Sequence, residues 1–184
     1  MTTRTPPAVP LDTPLELPEP ADTEALGERL AAGLRAGDLV VLSGPLGAGK
    51  TAFVRGLARG LGVTGPVTSP TFVIARGHPP GPGGAGVPLV HVDAYRLGIS
   101  ADVVAELDDL DLDTDLTGAV VAVEWGEGVA ERLAARHLLV RLERRPDDVR
   151  VASVHRVDPA TDHGPDPTPG RAHGGGSTAA AGPR

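Results

Sequence analysis

Apolar positions along this chain fall into two periods, and the change from one to the other is marked by glycine. Leu39, Val40, Val41 and Leu42 form an unbroken apolar run, as do residues 119–123, which predicts strands buried on both faces. Residues 89–93 read the same way apart from His91, and end on Asp93. Leu26, Leu30 and Leu34 recur at helical spacing after Asp22, a candidate N-cap, and Gly37 ends that run. Phe53, Val54, Leu57 and Leu61 mark one face of a second helix over residues 50–61, broken by Gly60, Gly62 and the Gly65-Pro66 pair.

The remaining elements are shorter. Residues 15–17 suit a short edge strand, and the first helix is expected to pack on the sheet. Residues 72–75 and 89–93 are expected to form an antiparallel pair joined by an exposed glycine- and proline-rich loop over residues 77–88, because so short a connection leaves no room for a crossover helix. One or two helical turns are predicted over residues 102–107, a helix over residues 127–136, and strands over residues 137–142 and 149–155. The fold class is therefore α/β: a single P-loop NTPase-like domain with a mixed, mostly parallel sheet flanked by helices, and an antiparallel hairpin.

Composition sets the borders. With 184 residues, 25 glycines and 19 prolines, the chain holds one core, expected over residues 15–157 between a disordered leader (1–14) and a disordered tail (158–184). There is no cysteine, so disulfides and thiolate metal sites are excluded and an intracellular, cytoplasmic setting is expected. No apolar run approaches the roughly 20 residues that span a bilayer. A formal net charge of −7 argues against a direct grip on DNA or RNA by this chain alone. Asp108, Asp109, Asp111, Asp113 and Asp115 invite a calcium-loop reading, but Thr114 replaces the turn glycine and Val120 the bidentate glutamate, which leaves a solvated acidic loop.

The chemistry is concentrated between the first long strand and the second helix. Gly44, Gly49, Lys50 and Thr51 fit the spacing of a Walker A phosphate loop, with Pro45, Leu46, Gly47 and Ala48 between them. Glycines let backbone N–H groups converge on an anion, and the following helix N-terminus adds its dipole. Lys50 is the only lysine in the chain, at the one position where a compact ammonium is needed to meet β- and γ-phosphates; Thr51 offers a hydroxyl to Mg²⁺. A carboxylate must join it, and Asp93 and Glu124, both at strand ends, each satisfy that requirement. Either also suits the orientation of an attacking water, and Arg96 suits charge stabilisation in the transition state or pairing with a neighbouring acid. Thr71 reads as a γ-phosphate sensor or as a strand-initiating residue, and Trp125 as a core anchor or a lid over the nucleotide. A metal role for His91 is disfavoured, since no second imidazole stands at ligand spacing. The absence of asparagine and of a second lysine removes the usual guanine-reading motif and favours ATP over GTP.

Four local patterns occur in order: Leu46-Gly47-Ala48-Gly49-Lys50-Thr51 followed by Arg55-Gly56; Ser69-Pro70-Thr71-Phe72; His91-Val92-Asp93-Ala94-Tyr95-Arg96-Leu97; and Glu124-Trp125. Together, over about residues 15–155, they resemble the TsaE family, small bacterial ATPases of tRNA threonylcarbamoyladenosine biosynthesis. The resemblance implies a compact P-loop fold that hydrolyses ATP to support turnover of a TsaB–TsaD complex, with tRNA reached only through that complex. It also implies Mg²⁺ held at Thr51 and Glu124, Asp93 needed for activity, and an adenine bordered by Thr23 and Arg150. Pro45, Ala94 and the expanded 77–88 loop depart from the family pattern, where aspartate and leucine are usual at the first two. A small-molecule P-loop kinase and a non-enzymatic nucleotide-gated binding module are the competing readings; the first calls for a lid segment that is not evident between Asp93 and Glu124.

Overall fold

A computed structural model of the chain describes residues 8–70, 75–82, 86–95, 117–127 and 134–158. The described elements are β1 (Leu15–Leu17), α1 (Pro20–Ala31), β2 (Leu39–Ser43), α2 (Lys50–Gly60), β3 (Ala75–His78), β4 (Leu89–Asp93), β5 (Val120–Glu124), β6 (His137–Arg144) and β7 (Arg150–Val157). They form one seven-stranded sheet in the order β1-β7-β6-β2-β5-β4-β3. The middle is parallel: β2 pairs with both β5 and β6, and β4 with β5. The edges are antiparallel, β3 on β4 at one side and β7 on β6 and β1 on β7 at the other. This is a single α/β domain with a mixed sheet, as the apolar runs imply.

The unbroken runs are buried on both faces. Val40 and Leu42 of β2 share a core with Val120 and Ala122 of β5, Phe53, Val54 and Leu57 of α2, and Leu26 and Leu30 of α1. Leu39, Val41, Val121 and Val123 point the other way, with Val90 and Val92 of β4. Strand alternation therefore sends Leu89, His91 and Asp93 to the helix-bearing face and Val90 and Val92 to its reverse.

Four expectations need correction. First, α1 starts at Pro20 with Glu19 as its N-cap, because proline's fixed φ suits the first helical turn; Asp22 instead sits at the third helical position and accepts the Glu19 N–H at 2.9 Å. Leu34 lies beyond the helix, whose last turn tightens through Gly33 N–H to Leu30 O and Leu34 N–H to Ala31 O, yet Leu34 still packs on the core. Second, α1 does meet the sheet, through Leu26 and Leu30 in the shared core, but its main neighbour is α2, a pairing the apolar pattern does not announce. Third, the strand paired with β4 is Ala75–His78 and not residues 72–75, so Gly77 and His78 belong to the sheet and not to a loop. Part of the remaining connection is tied down as well, with Gly81 N–H donating to Gly62 O at 2.8 Å. Fourth, residues 134–136 are not helical, and β6 and β7 each run two residues past their expected ends, to Arg144 and Val157, while β7 begins at Arg150, one residue later than expected. Residues 1–7, 71–74, 83–85, 96–116, 128–133 and 159–184 lie outside the described residues, and with them half of the leader, Thr71, Arg96, the acidic loop up to Leu116, the turns at 102–107 and most of the tail.

The contact between α1 and α2 is set by missing side chains. A Cβ on Gly56 would fall 1.8 Å from Glu24 O, one on Gly27 2.2 Å from Phe53 O, and one on Gly60 2.6 Å from Glu28 O. Arg55 and Arg59 then close the solvent side of the crossing on Glu24 and Glu28, at 3.0 to 3.1 Å. These exposed ion pairs contribute little individually, so the close approach of the two backbones holds the crossing together.

Two outcomes test this packing. In an open helix, glycine to alanine gains up to about 1 kcal/mol; Gly56→Ala should instead destabilise by about 1–3 kcal/mol through overpacking, read from urea unfolding, and a stabilised variant would contradict the crossing. Burial, with smaller contributions from His91 and Arg76, holds the His78 imidazole below its ordinary value of 6.5. The unfolded chain thus binds the proton more readily, so this contribution is complete above pH 6.5 and fades as pH falls. Acidification should destabilise the wild type more than His78→Leu, and parallel stability profiles would refute it.

Candidate functional site

The turn between β2 and α2 is built for close approach. Gly44, Gly47 and Gly49 have φ of 145°, 79° and 107°, a region that disfavours side chains, and a Cβ on Gly44 would strike Leu142 O at 2.1 Å. Gly47 and Gly49 thus line an open cleft directly ahead of the α2 N-terminus with no side chain between it and the backbone.

Lys50, the first residue of α2, folds back over this turn. Its Nζ donates to Gly44 O at 2.7 Å and Pro45 O at 3.0 Å, and lies 3.6 Å from the centre of the Trp125 ring. Burial pushes the ammonium below its ordinary value, opposed by the nearby Glu124 and Asp93 carboxylates. The contacts satisfy a charge that would otherwise be poorly solvated, and all of them are breakable by a competing anion.

Thr51, one residue on, donates its hydroxyl to Glu124 Oε1 at 2.8 Å. The same oxygen meets His91 Nε2 at 2.9 Å. Asp93 is the register partner of Glu124, so the two carboxylates stand side by side at the ends of parallel strands. Asp93 Oδ1 accepts the Tyr95 N–H at 3.1 Å, and Oδ2 lies 3.5 Å from Ser69 Oγ. Glu124, Asp93 and Lys50 are all nearly buried.

Trp125 belongs to neither core cluster. Its backbone is left-handed at φ 62°, held by its N–H on Leu42 O at 2.9 Å, which turns the indole into the cleft against Tyr95 at 5.3 Å between ring centres. Of the core-anchor and lid readings, this position fits a wall over Lys50.

These groups line a cleft of about 760 Å³ together with Leu46, Pro20 and Arg150. Thr23 and Arg150 flank the turn, each 3.4 Å from where a Gly49 Cβ would stand, and the buried Thr23 Oγ1 has no partner among the described residues. Leu46 is 91% exposed at the lip. The sequence-nominated residues Gly44, Pro45, Leu46, Gly47, Ala48, Gly49, Lys50, Thr51, Asp93, Glu124, Thr23 and Arg150 thus converge on one region, while Thr71 and Arg96 lie outside the described residues.

Chemically the cleft suits an anion at the turn beside a hard cation. Among the described residues no group of three or more histidine, cysteine or acidic side chains is arranged to hold a metal unaided. A cation here would take the Thr51 hydroxyl and one or both carboxylates, and complete its shell with water and ligand oxygens, the habit of Mg²⁺. Sequence reasoning overlooked the Tyr95 ring and the Glu124–His91 contact. Rarity was the available signal for the first: of only four aromatic rings in the chain, two meet at this cleft.

The sequence model of the family described as "Threonylcarbamoyl adenosine biosynthesis protein TsaE" matches residues 17–152. Proteins named "tRNA threonylcarbamoyladenosine biosynthesis protein TsaE" are similar along most of the chain. The one from Mycobacterium tuberculosis is 60% identical over 140 residues, covering 74% of this chain and 83% of the relative. That of Streptomyces coelicolor is 60% identical over 133 residues, covering 70% and 86%, and that of Bacillus subtilis 39% over 132, covering 71% and 77%. Among solved structures, the crystal structure of YdiB from Bacillus superposes with a TM-score of 0.62 at 32% identity, covering 79% of this chain and 84% of that one.

Because Trp125 is the sole tryptophan and Lys50 the sole lysine, the emission reports on one site that holds the one ammonium side chain. As pH rises toward 10.5, the buried ammonium should lose its proton before an ordinary lysine would, producing an alkaline step in wild-type emission that Lys50→Met lacks. Identical alkaline profiles in the two proteins would show that the ammonium does not rest on the indole.

Proposed function

The chain belongs to the TsaE family of tRNA threonylcarbamoyladenosine biosynthesis, and on that premise we propose that it is a Mg²⁺-dependent ATPase subunit with a P-loop fold, whose hydrolysis supports turnover of a TsaB–TsaD complex. The observation that carries the reading is the Thr51–Glu124 hydrogen bond of 2.8 Å, set at the mouth of a glycine turn that Lys50 crosses. A hydroxyl and an ammonium on the first turn of one helix, facing a carboxylate at a strand end, are the parts that phosphoryl chemistry requires.

In this reading the Gly44–Gly49 backbone cradles the phosphates, and Lys50 exchanges the Gly44 and Pro45 carbonyls for β- and γ-phosphate oxygens. The hard oxygen donors Thr51 and Glu124, with Asp93 beside them, fit Mg²⁺, which when bound neutralises developing charge on the phosphates. Asp93 is fixed by the Tyr95 N–H and has one oxygen facing the cleft side of Ser69, a posture suited to orienting water. Thr23 and Arg150, at the opposite flank of the turn, are placed to border the adenine. Trp125 covers the Lys50 ammonium, with Tyr95 against its ring.

The acidic balance supports an indirect relation to nucleic acid. A chain with net charge −7 meets tRNA through partners that hold the polyanion, not by its own surface, and DNA is not a ligand on this reading. No helix among the described residues is long and apolar enough to cross a membrane, and a cytoplasmic site of action accords with the pathway.

ATP turnover with Mg²⁺, measured with and without TsaB–TsaD, tests the proposal: stimulation by the complex is expected, and phosphate transfer to a metabolite instead of water would overturn it. Lys50→Ala should abolish ATP binding. Glu124→Gln should retain binding but lose roughly 100-fold or more in hydrolysis, the scale seen when one charge-stabilising group is removed. Unimpaired hydrolysis in Glu124→Gln would move the cation's main protein ligand to another residue.

A further inference from the structure

His91 is the one polar residue inside the apolar run of β4, and it is fully buried. Its register partner on β5 is Ala122, whose methyl leaves space above it on the helix-bearing face. The imidazole uses that space to reach diagonally to Glu124, two residues further along β5, a separation that long side chains bridge across paired strands. There Nε2 lies 2.9 Å from Oε1, while the Thr51 hydroxyl donates to the same oxygen at 2.8 Å.

The network fixes the tautomer. Oε1 accepts the threonine proton, so the imidazole must place its own hydrogen on Nε2 to make a favourable contact. Nδ1 has no partner among the described residues, and a bare acceptor in a core is better tolerated than a bare donor. An imidazole held by a single bond in an otherwise apolar strand is a poor choice for stability alone, since an aliphatic side chain would fill the same space without burying a polar atom.

We propose that His91 is a positioning residue for the cation site: by donating Nε2–H to Glu124 Oε1, it locks the Glu124 carboxylate against Thr51 and so raises the affinity of the site for Mg²⁺. The inference rests on the Mg²⁺-ATP reading given above and extends it to a residue that touches neither nucleotide nor metal. Groups that orient metal-ligating side chains typically change metal affinity by about 10–100-fold when removed.

The test is the Mg²⁺ concentration needed for half-maximal tightening of ATP binding, followed by Trp125 emission and by calorimetry, together with ATP binding in the absence of metal. His91→Leu should fold cooperatively, bind metal-free ATP as the wild type does, and need about ten times more Mg²⁺ or above. His91→Gln, whose amide nitrogen reaches the place of Nε2, should recover most of that loss, whereas His91→Asn, whose amide reaches only to the place of Nδ1, should not. The Gln and Asn pair carries the comparison by itself if His91→Leu does not fold. A folded His91→Leu with wild-type Mg²⁺ demand, or Gln and Asn variants that behave alike, would overturn the role assigned to His91 while leaving the ATPase reading intact. A wild-type protein that takes up ATP with no Mg²⁺ dependence would overturn both together.

Discussion

The parallel register of β4 and β5, which sets Asp93 beside Glu124, is the constraint from which the rest of the site follows. Both strands are buried over their full length, so sliding either by one residue would turn its carboxylate away from the helices and drive apolar side chains out of the core. With that register fixed, α2 need only begin at Lys50 for Thr51 to reach Glu124 and for the ammonium to sit over the turn. The α1–α2 crossing secures this start: glycine at 27, 56 and 60 lets the two backbones meet, and α1 in turn carries Thr23 to the side of Gly49.

The same geometry concentrates polar groups where burial makes them expensive. Lys50, His91, Asp93 and Glu124 are nearly or fully buried on one end of an otherwise apolar layer. Each has at least one partner within the group or on nearby backbone, so none is an isolated charge, but His91 Nδ1 has no partner among the described residues and the arrangement gains little over aliphatic packing. Its contacts are chiefly reversible ones: an ammonium resting on two carbonyls and an indole, and a hydroxyl resting on a carboxylate. A site whose resting contacts can be exchanged for those of an anion and a cation suits repeated binding and release.

What could be read from the sequence follows from what chemistry demands of local spacing. The glycine-turn residues, the strand-end acids and the apolar runs are contiguous signals, and the structure brings the first two together at one cleft. Contacts made by register or by backbone were hidden. His91 meets Glu124 only because Ala122 lies opposite it on a neighbouring strand, which no local pattern encodes. β3 pairs through its main chain at a sheet edge, with Arg76 and Gly77 exposed, so no apolar alternation announces Ala75–His78. Asp22 looked like a cap because its side chain does serve the helix start, but from within the first turn. Gly60 does end α2 as its sequence suggests, but the part that Gly56 and Gly60 play in the helix crossing became visible only with α1 laid across them.

Everything proposed for the site requires a triphosphate and Mg²⁺ to occupy the Gly44–Thr51 turn. A crystal structure with a non-hydrolysable ATP analogue and Mg²⁺ tests it most directly. Lys50 Nζ is expected to leave the Gly44 and Pro45 carbonyls for phosphate oxygens, with the ion on Thr51 Oγ1 and Glu124. An analogue bound elsewhere, or a metal that touches neither of those side chains, would contradict it.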